Sequence, residues 1–267
     1  MRLIPVIDLL DDHAVHAIKG TREHYRPVQS VLCDTSDPLA LAAAFRDQLR
    51  LTEIYIADLN AIQGFSRMRH QSLIGDLCRS EGMHIILDAG TSDVEQAQAC
   101  LDQGVQKVVI GSETLGALDN LQSISARIEP HRLVFSLDFK NGRILSRCHS
   151  LAAMTPMEAL KQLQLAGWQE VILLNLNRVG SREGVDTALV SEAHECFPDL
   201  HLLLGGGIAK PQELAELKSI GVAGILVATA LHNGAINAQH IARLTRISHE
   251  AAQMGRDTID SGFQIPD

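Results

Sequence analysis

His201–Leu231 reads HLLLGGGIAKPQELAELKSIGVAGILVATAL. The apolar run His201–Leu204 is long enough for one buried strand, and it ends in Gly205, Gly206 and Gly207, where backbone can turn sharply and approach a ligand. Pro211 suits the first turn of a helix, because its missing N–H is not needed there. Leu214 and Leu217 recur at helical spacing, and Gly221 stops the helix. A second apolar run, Gly224–Ala228, follows and ends in Thr229, Ala230 and Leu231. The stretch therefore predicts strand, glycine turn, helix, strand and small-residue turn. In a parallel barrel, the turns after the seventh and eighth strands commonly form a phosphate site built from backbone N–H groups. The expected anion ligands are Gly206, Gly207, Ala228, Thr229 and Ala230; the competing reading is that these glycines only shape tight loops.

The pattern also occurs earlier. His84–Gly111 reads HIILDAGTSDVEQAQACLDQGVQKVVIG, and setting His84 on His201, an offset of 117 residues, lays Asp88-Ala89-Gly90 over the glycine triplet. The same offset puts Gly111 and Ser112 on Ala228 and Thr229, which adds Gly90, Gly111 and Ser112 as phosphate candidates. Upstream, Glu53–Asn60 lies over Glu170–Asn177 without a gap, and Ile7-Asp8-Leu9 matches Leu137-Asp138-Phe139 at an offset of 130. Each half carries four strand–helix units in one order, and repetition of this kind decides a fold before local detail does. The reading is a (β/α)8 TIM barrel built from two homologous half-barrels, occupying residues 1–255 with a C-terminal tail at 256–267.

Composition agrees. The 267 residues suit one barrel of this type, which needs about 250, and 46% hydrophobic residues supply a large core. Aromatics are 3% and the net charge is −9, which excludes base-stacking surfaces and nonspecific nucleic-acid binding as functions. A small phosphorylated ligand held by backbone dipoles remains compatible with that charge. The five cysteines are scattered without a CxxC, so they read as reduced thiols. No signal peptide or membrane span is apparent, and a cytoplasmic protein without membrane association is expected. Oligomeric state is not legible.

Catalytic groups of such barrels sit at the C-terminal ends of strands. Asp8, Asp58, Asp88, Asp138, Asn175 and Asn177 lie at or just past those ends. Asp8 and Asp138 are the sharpest pair, since the repeat sets them across one barrel mouth. Two carboxylates on one cavity can divide acid and base duties; the alternative is that each caps a turn or pairs with a cation. His16 and Lys19, in the loop after the first strand, are further possible substrate contacts, with Asp58, Asn175 and Asn177. Arg22, His24, Tyr25 and Arg26, in the long segment Thr21–Ser36, read either as a clamp on a second group or as a solvated loop. The histidines show no paired ligand spacing, so no metal is expected, and nothing implies a cofactor.

IPVIDL at the start, VFSLDFKNGR in the middle and LLLGGGI near the end together resemble the histidine-biosynthesis isomerase and cyclase (HisA/HisF) family, over about Arg2 to His240. The resemblance implies a two-fold (β/α)8 barrel acting on phosphoribosyl compounds. In the isomerase branch an aminoaldose becomes an aminoketose, and the first-strand aspartate is the general base, which falls on Asp8; the fifth-strand aspartate falls on Asp138. The family's acid-bearing DGT motif after the sixth strand stands here as Val179-Gly180-Ser181, and its threonine as Leu174. A valine transfers no proton. The family's first-half phosphate turn, usually GGGIR, is Asp88-Ala89-Gly90-Thr91. The long first loop, His24–Val28, is more like the related proteins of methanogens and of bacteria using tetrahydromethanopterin. Three functions follow in order: a HisA-like isomerase of a phosphorylated sugar or ribotide; a lyase or synthase step in tetrahydromethanopterin-linked cofactor synthesis; and a barrel that only binds phosphoribosyl ligands.

Overall fold

The structure, a computed structural model, describes residues 1–17, 24–65, 69–178 and 186–244. Eight parallel strands pair in sequence order: β1 (Arg2–Leu10), β2 (Glu53–Asp58), β3 (His84–Thr91), β4 (Lys107–Gly111), β5 (Leu133–Lys140), β6 (Glu170–Asn175), β7 (His201–Gly205) and β8 (Gly224–Val227). β1 pairs with β2 on one side, Val6 against Tyr55, and with β8 on the other, Arg2 against Gly224, so the sheet closes. Helices lie between the strands: α1 (Pro38–Leu49), α2 (Gln71–Arg79), α3 (Val94–Asp102), α4 (Asp119–Ser125), α5 (Pro156–Leu165), α6 (Thr187–Cys196) and α7 (Pro211–Ile220). This is a TIM barrel.

Local chemistry sets the helix boundaries. Asp37, Asp93, Thr155 and Asp186 cap α1, α3, α5 and α6 by accepting backbone N–H groups, and Glu158 completes a capping box with Thr155. Gly221 ends α7 at φ 95°, and a Cβ there would lie 2.4 Å from His194 Nε2 on α6, so side chain and backbone both demand glycine. After β2 a helical turn, Leu59–Ile62, forms because the Asp58 carboxylate accepts the Ala61 N–H. In the first long loop, Arg26–Pro27 pairs with His16 and Val15, extending a hairpin begun by His13–His16. Past β8 the chain forms a helical turn at Thr229–His232, where the sequence predicts a small-residue turn, and a helical segment at 238–244; the expected tail lies outside the described residues.

Strand periodicity of two then sorts side chains between barrel lumen and helix layer. One buried residue from each strand fills the lumen: Ile4, Tyr55, Ile86, Val109, Val134, Ile172, Leu203 and Leu226. The opposite face of each strand packs under the helices in the larger core cluster. Below the apolar layer, at the strand starts, Arg2 bonds Glu53 at 2.9 Å and Glu170 at 2.6 Å, and Lys107 bonds Glu170 at 2.5 Å. Burial opposes the charge on Arg2, and the two glutamates outweigh that penalty. Above the layer, at the strand ends, the lumen opens.

Candidate active site at the barrel mouth

The C-terminal mouth holds a cavity of about 560 Å³. Counting in twos from the lumen layer, Ile4 leads to Asp8, Ile86 to Asp88 and Val134 to Asp138, so three alternate strands each deliver a carboxylate to one space. Asp8 lies between two partners, paired with Ala57 of β2 and with Val15 of the hairpin. Asp138 is fixed at both ends: its Oδ1 accepts the Ser136 hydroxyl at 2.6 Å, and its N–H donates to Ser112 Oγ at 2.9 Å. Asp88 receives the Gly90 N–H on one oxygen, at 3.0 Å, and the Tyr55 hydroxyl on the other, at 3.1 Å. Burial, with Asp88, Asp138 and Asp8 nearby, pushes the Tyr55 phenol well above its usual range, so it stays a donor.

Across the cavity from β3 lies the glycine turn. Gly206 and Gly207 hold φ of 87° and 88°, a region that side chains rarely adopt. Gly205 leaves room for Leu174, whose Cδ1 would be 2.6 Å from an added Cβ. Ala228, Thr229 and Ala230 complete this wall, where the first N–H groups of the turn Thr229–His232 have no acceptor within their own helix. Together, Gly206–Gly207 and Ala228–Ala230 form one wall of the cavity. His16 stands behind it, its Nε2 3.0 Å from Thr229 Oγ1. Beneath, His232 packs on Phe45 and bonds Ser30 through Nδ1; burial, then His16, lowers its pKa to about 4.

The same parity explains which expected residues stay off the cavity wall. Asp58 follows Ala57, the lumen-facing residue, and so turns outward. It is 1% exposed and caps the Leu59–Ile62 turn while bonding His70 Nδ1 at 2.9 Å. Asn175 follows lumen-facing Leu174, and its side chain accepts the Asn177 N–H. Asn177 in turn donates to Asn141 in the hairpin after β5. Ser112 follows Gly111, which does line the cavity, and reaches the site only through the Asp138 backbone. Gly90 sits where the β3–β4 register shifts, and a Cβ on it would lie 2.9 Å from Ile62 Cα. Lys19 and Val179 lie outside the described residues. Tyr55, Glu113, Lys140 and Lys210 also line the cavity. For Tyr55 the two-residue step back from Ala57 was the available signal.

The closed parallel barrel carries three carboxylates and the Gly205–Gly207 turn at its C-terminal mouth, the face on which TIM-barrel enzymes build their active sites. More narrowly, the profile of the family described as "Histidine biosynthesis protein" matches residues 2–237, and the chain belongs to that family. An uncharacterized protein, MJ0703, of Methanocaldococcus jannaschii is 31% identical, over 90% of this chain and 97% of its own. A phosphoribosyl imidazole-carboxamide isomerase of Bacillus cytotoxicus is 24% identical over 92% and 99%. The isomerase of the same name from M. jannaschii itself is 22% identical over 89% and 96%. No helix among the described residues is long and apolar enough to cross a membrane.

Proposed function

We propose that the protein is a HisA-like enzyme of a phosphorylated sugar or ribotide, working by isomerase-type proton transfer with Asp8 as general base and Asp138 as its acid or orienting partner. The observation that carries this reading is the convergence of both aspartates, from β1 and β5, on one cavity with the Gly206–Gly207 turn. Phosphate seats on the backbone N–H groups of that turn and of Ala228–Ala230, and the sugar extends toward β1 and β5. In an aminoaldose the ring oxygen takes a proton as its bond to C1 breaks and a C1=N bond forms; Asp8 then removes the C2 proton, and the resulting enolamine takes a proton at C1 while its C2 hydroxyl gives one up, leaving an aminoketose. Bonds and protons balance without an external oxidant. The near-equal roles of Asp8 and Asp138 in the repeat also support descent from two fused half-barrels.

The reaction is expected to differ from the histidine-pathway one. Leu174 holds an apolar position on the cavity wall where the resemblance calls for threonine, and Val179 replaces the acid. M. jannaschii has both a family isomerase and MJ0703, and this chain is closer to the latter, 31% against 22%. The second reading, carried by the resemblance of the first long loop, is a step in tetrahydromethanopterin-linked synthesis, where a ribose phosphate meets an aromatic amine. The test uses N-(5-phosphoribosyl)arylamines, made by condensing ribose 5-phosphate with aromatic amines, incubated with the enzyme in D2O. Exchange of the C2 proton in wild type and its loss in Asp8→Asn is expected. In parallel, the gene should not rescue an isomerase-deficient histidine auxotroph; robust rescue overturns the exclusion.

A further inference from the structure

Asp58 ends β2 but turns away from the cavity, where its Oδ1 lies 2.9 Å from His70 Nδ1. Both side chains are buried, at 1% and 0% exposure. The other ring nitrogen of His70, Nε2, receives the backbone N–H of Asp12 at 3.2 Å. A backbone N–H can only donate, so Nε2 is the acceptor and the ring proton sits on Nδ1, facing Asp58. Asp12 Oδ1, 3.4 Å from the same Nε2, is the partner that a doubly protonated ring would take instead.

Asp12 lies in an uncommon turn. Leu10 pairs with His13, so Asp11 and Asp12 form a two-residue hairpin loop, with φ of 50° and 68°. Glycine takes such angles without strain, whereas this loop is gripped from the segment between β2 and α2. Asn60 accepts the Asp11 N–H at 2.9 Å and donates to its carboxylate at 3.1 Å. Arg69 reaches Asp11 at 3.2 Å and Asp12 at 3.6 Å, and His70 holds the Asp12 N–H. The hairpin strand that follows crosses the end of β1: Val15 pairs with Asp8, His16 reaches Thr229 Oγ1 at 3.0 Å, and Ala17 lines the cavity. One end of this strip is thus fixed at the loop after β2 and the other at the turn after β8, with Asp8 between them.

We infer that His70, keyed by Asp58, is a positioning residue: by accepting the Asp12 N–H it seats the hairpin that borders Asp8 and the turn after β8. The inference rests on Asp8 as the proposed base and adds a residue, off the cavity wall, that governs its placement. A shift of about 1 Å in a reacting group can cost about 10²-fold in rate, so loss of this one distant hydrogen bond should register in turnover.

Two replacements divide the bonds of the ring. His70→Gln keeps an acceptor at the Nε2 position for Asp12, and His70→Asn keeps a donor at the Nδ1 position for Asp58. Exchange of the C2 proton of an N-(5-phosphoribosyl)arylamine in D2O should stay within roughly threefold of wild type in His70→Gln and fall by roughly tenfold or more in His70→Asn. The Asp12 amide, followed by hydrogen-exchange NMR, should keep its protection in His70→Gln and lose it in His70→Asn. A role confined to partnering Asp58 gives the reverse order and overturns the inference, as do equal effects of the two replacements. Nitrogen-15 spectra of the wild-type ring near neutral pH should show Nδ1 protonated and Nε2 unprotonated; a proton on Nε2 overturns the inference, even if His70→Asn does not fold. Absence of C2 exchange in wild type overturns Asp8 as the base, and the order of Asp12 protection then decides the seating of the hairpin by itself.

Discussion

The two ends of the lumen use the same kind of side chain in opposite ways. At the strand starts, Glu53 and Glu170 face inward and are tied to Arg2 and Lys107 at salt-bridge distance. At the strand ends, Asp138 accepts the Ser136 hydroxyl, and Asp88 accepts the Gly90 N–H and the Tyr55 hydroxyl, in a cavity open to a ligand. In the proposed reading the lower ring serves stability and the upper ring chemistry, with the lumen layer between them.

The largest expected effect separates the rings most cleanly. Asp8→Asn and Asp138→Asn should each lower turnover by about 10³-fold, as loss of a positioned proton-transfer group does. Thermal midpoints should stay within about 2 °C of wild type, read by calorimetry. A destabilised Asp8→Asn variant with normal turnover would break the comparison and make the upper ring structural.

Next in size is the response to acid. His232, under the anion turn, is neutral in the fold with a pKa near 4, while in the unfolded chain it titrates near 6.5. Between those values the unfolded state holds the extra proton, so stability falls as pH drops from about 6.5 to 4, by up to roughly 3 kcal/mol. Denaturant melts across that window should show the decline, and His232→Gln should remove most of its slope. An unchanged slope would place the acid sensitivity elsewhere.

Glu170→Ala tests the lower ring. It leaves Arg2 and Lys107 facing each other in a confined space and should cost about 2–3 kcal/mol. Ribose 5-phosphate affinity should move less than twofold, because the apolar layer lies between. Coupling of this change to binding would mean that the two ends communicate.

The smallest effect refines the upper ring. Gly207→Val forces a branched side chain onto φ 88° beside the anion seat. Sugar-phosphate binding should weaken at least tenfold, about 1.4 kcal/mol.

Much of this was written in the sequence. The repeat gave eight strands and a barrel, and the ends of β1 and β5 gave Asp8 and Asp138. Position at a strand end alone leaves parity open. A strand end names a position along the barrel, but only the two-residue period says whether a side chain faces lumen or helix. Asp58, Ser112 and Asn175 each lie one residue past a lumen-facing neighbour, so they left the cavity, while Tyr55 lies two before one and entered it. The covering of Gly90 was less legible. It depends on a four-residue helical turn, Leu59–Ile62, from another strand's loop, a contact that no local pattern around Gly90 encodes.

The most direct measurement is a crystal structure with ribose 5-phosphate. The account predicts phosphate on the backbone N–H groups of Gly206, Gly207 and the Ala228–Ala230 turn, with C1 and C2 of the sugar between Asp8 and Asp138. Phosphate bound at Gly90, or a sugar directed away from both aspartates, would contradict it.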